Sequence, residues 1–572
     1  MPRNCLATLW CGGLILLLLP PSATGQGREP RLAALGPTLA PLSYEIDLAV
    51  DYRAARFSGH ETVRLTNATR QELDGINFYL YPNVGLDETE EPWVTVQAVR
   101  VGSRQLRFTT RSRGAMIRVA LPTKVLPGQS LALSLDFEAR IPPVQREETS
   151  LLAHFLQEVG DATSSEQQGR DARDIFFAGD QAMLLGYFFP MVARQENFSA
   201  EQGLTVGAGG VVFSDIADYE VKVKIDDGLV VVASGSEVWQ KAAAQSGPAS
   251  RPQRDFLFRG ERLRGFALVF GERLKAVEKQ VGGARVASYF REGDERLGQR
   301  SLEMAARAIE VYNAAFGPYP YPALNVVELP LPAGYSGIEF PGLVALAQAY
   351  YIDFEAPQAS RLPAVVRDHA DLIKSALEFT LAHEIAHQWW GAVVGSDPQR
   401  TPYLDEALAH YSAAYYYEAA YGPAAGETAV ELQLRAPYHA FRFLGGLDQE
   451  VDKPAREFRS NLQYAAIVQA KAAMLFVALR RELGDARFFE ALRAYFAAYR
   501  FRVVSPDHLR QVFLDASDNS KVVRSLFQRW IKEKHGDEDI GTPDAAQLTP
   551  SSKIRSLGRV FAWLGRTAAR PF

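Results

Sequence analysis

Residues 381–391 read LAHEIAHQWWG, and two histidines four apart meet one metal ion most readily where the chain between them is helical. In an α-helix, residues i and i+4 stand one turn apart on the same face, so His383 and His387 present their imidazoles together, with Glu384 beside them. Eighteen residues intervene before Glu406, in the run PYLDEALAHY, which also reads as a helix. That second helix would pack beside the first and aim its carboxylate at the same point.

Two histidines and a distant carboxylate, with one position left open for water, form a standard ligand set of catalytic zinc. His383, His387 and Glu406 are therefore candidate ligands of one Zn2+ ion. Zinc brings the pKa of bound water down towards about 7, and Glu384, adjacent to the ligands without being one, is placed to take the proton as that water attacks a carbonyl. The chemistry the pattern implies is metal-assisted amide hydrolysis.

Upstream, Gly334 to Leu346 read GYSGIEFPGLVAL, a glycine-rich apolar stretch expected to be an edge strand or extended loop. Glu339 is its one charged residue. A carboxylate at the end of a peptide groove can hold a free α-ammonium group, which would place the first peptide bond at the metal and make an exopeptidase.

HEIAHQWWG, Glu406 and SGIEFPG together resemble the aminopeptidase N family of gluzincins, which includes leukotriene-hydrolase-like enzymes. The run FGPYPYP from Phe316 to Pro322 resembles the segment before that family's exopeptidase motif. The resemblance implies that His383, His387 and Glu406 bind zinc, that Glu384 is the base, and that Glu339 and Gly337 bind substrate at the family's GxMEN motif. Here Ile338 stands for its methionine and Phe340 for its asparagine. The family's later YxxxxYxKG pattern supplies a tyrosine hydroxyl to the oxyanion. In this chain Tyr464 and Lys471 are kept, but Gln469 occupies the place of the second tyrosine, so either Gln469 or Tyr464 would assist the oxyanion. Asp405 replaces the usual asparagine before the third ligand and Ala407 the usual glycine. Asp405 is expected either to orient a histidine ligand or to be a solvated helix start; His410, one turn beyond Glu406, is expected to support or pack against the ligands.

The expected function is a zinc-dependent aminopeptidase acting on peptides with a free amino terminus. Two alternatives stay open: a catalytically impaired zinc- and peptide-binding protein on the same scaffold, motivated by Gln469, and another zinc hydrolase, endopeptidase or epoxide-opening, motivated by the altered residues around Glu339.

Apolar residues alternate in short runs from Leu42 to about Leu274, as in Tyr44, Ile46, Leu48 and Val50, which is strand periodicity. Beyond about Val281 helical spacing takes over. The expected fold class is α+β and multidomain: a β-sandwich-like saddle domain over 42–280, then a mainly helical, thermolysin-like catalytic domain over 281–540. The large carboxy-terminal helical domain of longer relatives is not expected. Residues 146–173, rich in Glu, Gln and Ser, read as a long exposed insertion.

Residues 1–25 carry Arg3, an apolar run from Leu6 to Leu19 and then small residues, which reads as a cleaved signal peptide followed by a linker over 26–41. The expected location is secreted or periplasmic. Both cysteines, Cys5 and Cys11, fall in that leader, so no disulfide is expected afterwards. Asn67 and Asn197 begin glycosylation sequons. A formal net charge of −5 shows no basic excess of the kind that marks nucleic-acid binding. The tail over 541–572 carries Arg555, Arg559, Arg566 and Arg570 beside an apolar helix face, and is expected to make at most weak contact with an anionic membrane surface.

Overall fold

The computed structural model describes residues 42–163, 172–194, 204, 207–242 and 252–541. The leader with Cys5 and Cys11, the linker, Asn197 and the basic tail lie outside the described residues.

Alternation builds the first half. Along Leu42–Asp51 the side chains of Tyr44, Ile46, Leu48 and Val50 are buried, while those between them face out. This strand pairs in parallel with Ala217–Asp226 and antiparallel with Arg56–Thr66. It sits near the middle of an eight-stranded sheet, and two four-stranded sheets complete the β region. Aromatic side chains fill the space between layers: the Phe57 ring meets Phe176 and Phe188, and Tyr44 meets Phe189. Such pairs combine a large buried area with favourable edge-to-face geometry. Asn67 is buried, its amide donating to the carbonyls of Gln71 and Val125, so this sequon is part of a turn and not an exposed acceptor.

Strands continue well past residue 281. A five-stranded sheet runs in the order Leu274–Val281, Ala284–Arg291, Ala323–Leu329, Leu343–Ala347 and Gly337–Phe340. The helix Glu295–Phe316 crosses between two of its parallel strands. All seven residues of Ala323–Leu329 are buried. A strand covered on both faces loses the polar alternation that betrays a half-exposed one, which is why periodicity did not expose it.

Helices dominate thereafter. Trp389 and Trp390, just after the histidine pair, anchor the arrangement. The Trp389 indole donates to the Gly317 carbonyl at 2.9 Å, and that of Trp390 to Ser412 Oγ at 3.1 Å. The segment expected as an exposed insertion instead contains a helix, Leu151–Thr163, whose His154 is buried with Nε2 3.3 Å from the Leu331 carbonyl. The molecule is α+β, a multi-sheet β region followed by a helical one.

Candidate active site and metal centre

The first candidate ligand pair lies at the end of the helix Ala370–Ala386, with His383 in its last turn and His387 as its C-cap. The chain turns away at Gly391, whose φ of 115° is accessible to glycine at little cost. Glu406 lies in the first turn of the helix Tyr403–Tyr421, where a carboxylate is favoured by the helix dipole. That helix ends at Gly422, φ 94°.

Packing of the two helices brings three donor atoms together. His383 Nε2 and His387 Nε2 are 3.1 Å apart, and Glu406 Oε2 lies 3.5 Å from the first and 3.9 Å from the second. Donors about 2.0–2.1 Å from one tetrahedral ion would stand about 3.3 Å from one another, so the set fits zinc in both spacing and chemistry.

The far ring nitrogens are tied down. His387 Nδ1 donates to the Trp390 carbonyl at 3.0 Å. His383 Nδ1 lies 3.3 Å from His410 Nδ1, and His410 Nε2 lies 3.1 Å from the Gln433 carbonyl. A carbonyl only accepts, so His410 carries its proton on Nε2 and takes the His383 proton on Nδ1. Burial, then the His383 charge, hold His410 down at about 3, which keeps it neutral. With Nδ1 of each candidate ligand engaged, Nε2 is the nitrogen that faces the common point. Asp405 serves instead at the helix start, where its Oδ1 accepts from the Glu406 backbone N–H at 3.0 Å. Burial, against the opposing His387 charge, raises its carboxyl to about 7.

Glu384 lines the adjacent cavity with Oε2 buried and unpartnered. Burial, then the neighbouring Glu339 carboxylate, push its pKa well above the usual range. Glu339 projects from the edge strand Gly337–Phe340, and ligand-type atoms of Glu339, Glu384 and His387 lie within 4.8 Å of one another. Burial alone would lower His387, but Glu339, Glu406 and Glu384 outweigh it and bring the imidazole up to about 9. Gly337 packs directly on the ligand helix: a Cβ there would lie 2.7 Å from Glu384 Oε1.

Tyr464 and Gln469 both reach Glu406. Gln469 Nε2 donates to Oε2 at 2.9 Å, and the Tyr464 hydroxyl lies 3.5 Å from Oε1. Their segment explains this. Ala465–Lys471 is π-helical, so a residue lies nearly over the one five before it. In an α-helix the same pair would point roughly 140° apart. Lys471 is fully buried and donates to Asp448 at 2.8 Å and to the carbonyls of Gln449 and Glu533.

These side chains line a cavity of about 390 Å³. Sequence reasoning missed part of its wall, the glycine-rich run Gly207 to Gly210 contributed by the β region. A Cβ on Gly209, φ 82°, would fall 2.3 Å from the Tyr464 hydroxyl, so only glycine lets that loop approach. The glycine cluster was its one visible signal. Tyr187, at φ 51° and with its ring tilted against that of Phe340 at 5.4 Å, also lines the cavity and gave none.

A helix carrying HExxH, followed by one carrying a glutamate at the common point, defines the gluzincin class. Residues 300–530, the region that carries the site, match the Peptidase family M1 domain. The chain is 26% identical over 273 residues to an aminopeptidase N of Lactobacillus delbrueckii subsp. lactis, which is 47% of this chain and 30% of that protein. It is 24% identical over 263 residues to aminopeptidase M1-D of Oryza sativa subsp. japonica, 44% and 27% of the two chains. The match thus spans less than a third of either relative's length. The fold is similar to that of an M1 zinc metallopeptidase from Deinococcus radiodurans, with TM-score 0.55 and 19% identity, covering 87% of this chain and 95% of that one. A mutant form of that protein bound to a Tyr-Ser-Ala substrate matches with TM-score 0.55 at 18% identity, covering 86% and 96%.

Proposed function

We propose that the protein is a zinc-dependent aminopeptidase that removes residues from the free amino termini of peptides. The observation that carries this is the second carboxylate, Glu339, on an edge strand within 4.8 Å donor spacing of Glu384 and His387. It lies close enough to the metal cluster that a peptide ammonium held there leaves only one residue before the reacting bond.

His383, His387 and Glu406 would hold the zinc, which when bound supplies a Lewis acid that acidifies water and polarises a carbonyl. Glu384 accepts the proton of the attacking water on its unpartnered Oε2 and returns it to the leaving amine. Glu339 receives the ammonium. Tyr464 offers its hydroxyl to the developing oxyanion, while Gln469 orients Glu406 through its 2.9 Å hydrogen bond.

The test is hydrolysis of matched free and amino-acetylated peptides by zinc-loaded protein, beside Glu384→Gln with metal content measured. Cleavage of the free peptides alone, abolished in Glu384→Gln at full zinc occupancy, supports the reading; equal cleavage of acetylated peptides points to an endopeptidase. A catalytically impaired zinc- and peptide-binding protein is the second reading, favoured by the glutamine at position 469. Zinc-loaded, inactive protein that gains turnover in Gln469→Tyr would establish it.

A further inference from the structure

Glu339 can select a free amino terminus only if its distance from the metal cluster is fixed, yet its strand is the edge of the sheet and pairs with one neighbour, Leu343–Ala347. The turn that joins the two strands contains Pro341 and Gly342, with Gly342 at φ 74°. An edge strand leaves its outer N–H and C=O groups without partners in the sheet, so what fixes it must come from outside the sheet.

Gln388, the residue after His387, holds it. Its side chain is fully buried, its Oε1 accepts from the Gly342 backbone N–H at 2.8 Å, and its Nε2 donates to the Phe340 carbonyl at 3.1 Å. Only one orientation of the amide satisfies both contacts, an acceptor towards the N–H and a donor towards the carbonyl. Gln388 itself is fixed on the ligand turn, its N–H bonded to the Ile385 carbonyl at 3.0 Å. One side chain therefore ties the residue beside Glu339 to the residue beside His387.

We infer that Gln388 is a positioning residue that sets the spacing between the ammonium-binding carboxylate and the metal cluster, and thereby the selectivity for free amino termini. The inference rests on the aminopeptidase reading and adds to it the part that measures off one residue. Gln388 touches neither substrate nor metal in this account. It acts through the Phe340–Gly342 turn, where a displacement near 1 Å is enough to cost about 10²-fold in a reaction that depends on alignment.

The experiment uses the full zinc-loaded chain carrying Glu384→Gln to stop turnover, with Gln388→Met or Gln388→Glu added. Binding of the tripeptide Leu-Gly-Gly and its amino-acetylated form is measured by calorimetry, and backbone amide exchange is followed by mass spectrometry. Gln388→Met, which loses both hydrogen bonds, is expected to cut the free-to-acetylated affinity ratio at least tenfold at unchanged zinc content. Exchange over Gly337 to Leu346 should quicken while Ala370–Ala386 stays protected. Gln388→Glu keeps the acceptor for Gly342, adds no void, and is expected to fall between. A merely structural role would weaken both peptides equally and leave the ratio intact, and that result overturns the inference. If Gln388-intact protein fails to distinguish the two peptides, the aminopeptidase reading falls, and amide exchange alone then decides whether Gln388 clamps the hairpin.

Discussion

Gly337→Ala is the sharpest probe of the proposed mechanism because its cost can be worked from contact distances. A Cβ at this position would lie 2.7 Å from Glu384 Cγ and Oε1 and 2.7 Å from Thr380 Cγ2. Carbon contacts are favourable at about 3.5–4.0 Å, so the strand or the Glu384 side chain must move by about 0.8 Å or more. Neither yields easily. Thr380 belongs to the ligand helix, and the strand is held at its far end by Gln388. A misplacement near 1 Å in a catalytic constellation costs about 10²-fold, which is about 2.7 kcal/mol of transition-state stabilisation. The added methyl lies beside the base and away from the donor nitrogens, so zinc content should hold. On the proposed reading, kcat/KM on a free peptide should fall about 30- to 100-fold, with the thermal midpoint little changed. Activity within about threefold of wild type, at equal zinc content, would refute the placement of Glu384 as base.

Three further outcomes are expected. Tyr464→Phe should lower kcat about 10²-fold without changing zinc affinity, whereas Gln469→Ala should weaken zinc binding about tenfold in a chelator competition by freeing Glu406; the reverse pattern would exchange the two roles. Lys471→Met leaves Asp448, only 9% exposed in its side chain, without its cation, and should cost about 3–5 kcal/mol, read as an earlier unfolding transition in denaturant. Glu328, buried on the strand Ala323–Leu329, is raised from 4.5 to about 8 by burial and then by the nearby Asp294 carboxylate. The folded chain keeps a proton that the unfolded chain releases above 4.5, so this contribution is complete below that pH and is lost as pH rises to about 8. The thermal midpoint of wild type should therefore fall relative to Glu328→Gln across that window, and parallel curves for the two proteins would remove Glu328 as the cause.

The candidate ligand cluster was legible because its logic is local. Two histidines at helical spacing and a glutamate on a second helix constrain geometry strongly enough that packing the helices together completes the cluster. Glu339 was legible as an isolated charge in an apolar stretch, and of the edge strand or extended loop expected there, the edge strand is what forms. What stayed hidden depends on the third dimension. Ala323–Leu329 is buried on both faces and carries no alternation. The wall formed by Gly207 to Gly210 comes from a different part of the chain, and no spacing within the motif region points to it. The helix Leu151–Thr163 was obscured by the polar composition around it, although His154 and Leu151 pack inward.

The choice between Tyr464 and Gln469 shows where reading by register fails. Alignment to the family pattern treats positions five apart as distinct places on an α-helix, so a glutamine at the second place counts as a lost hydroxyl. A π-helical turn removes that distinction by bringing residue i+5 over residue i, and both side chains then border Glu406. Gln469 commits an N–H to Oε2, the oxygen that also faces His383, while the longer 3.5 Å contact leaves the Tyr464 hydroxyl the more readily redirected donor. The Gly209 backbone backs that hydroxyl so closely that no side chain could stand there. A phenol confined between a glycine loop and the cluster is preorganised, and preorganised donors are the ones that stabilise an oxyanion without reorganisation at the moment of reaction. On the proposed mechanism, a glutamine at 469 is compatible with turnover because Tyr464 is the donor.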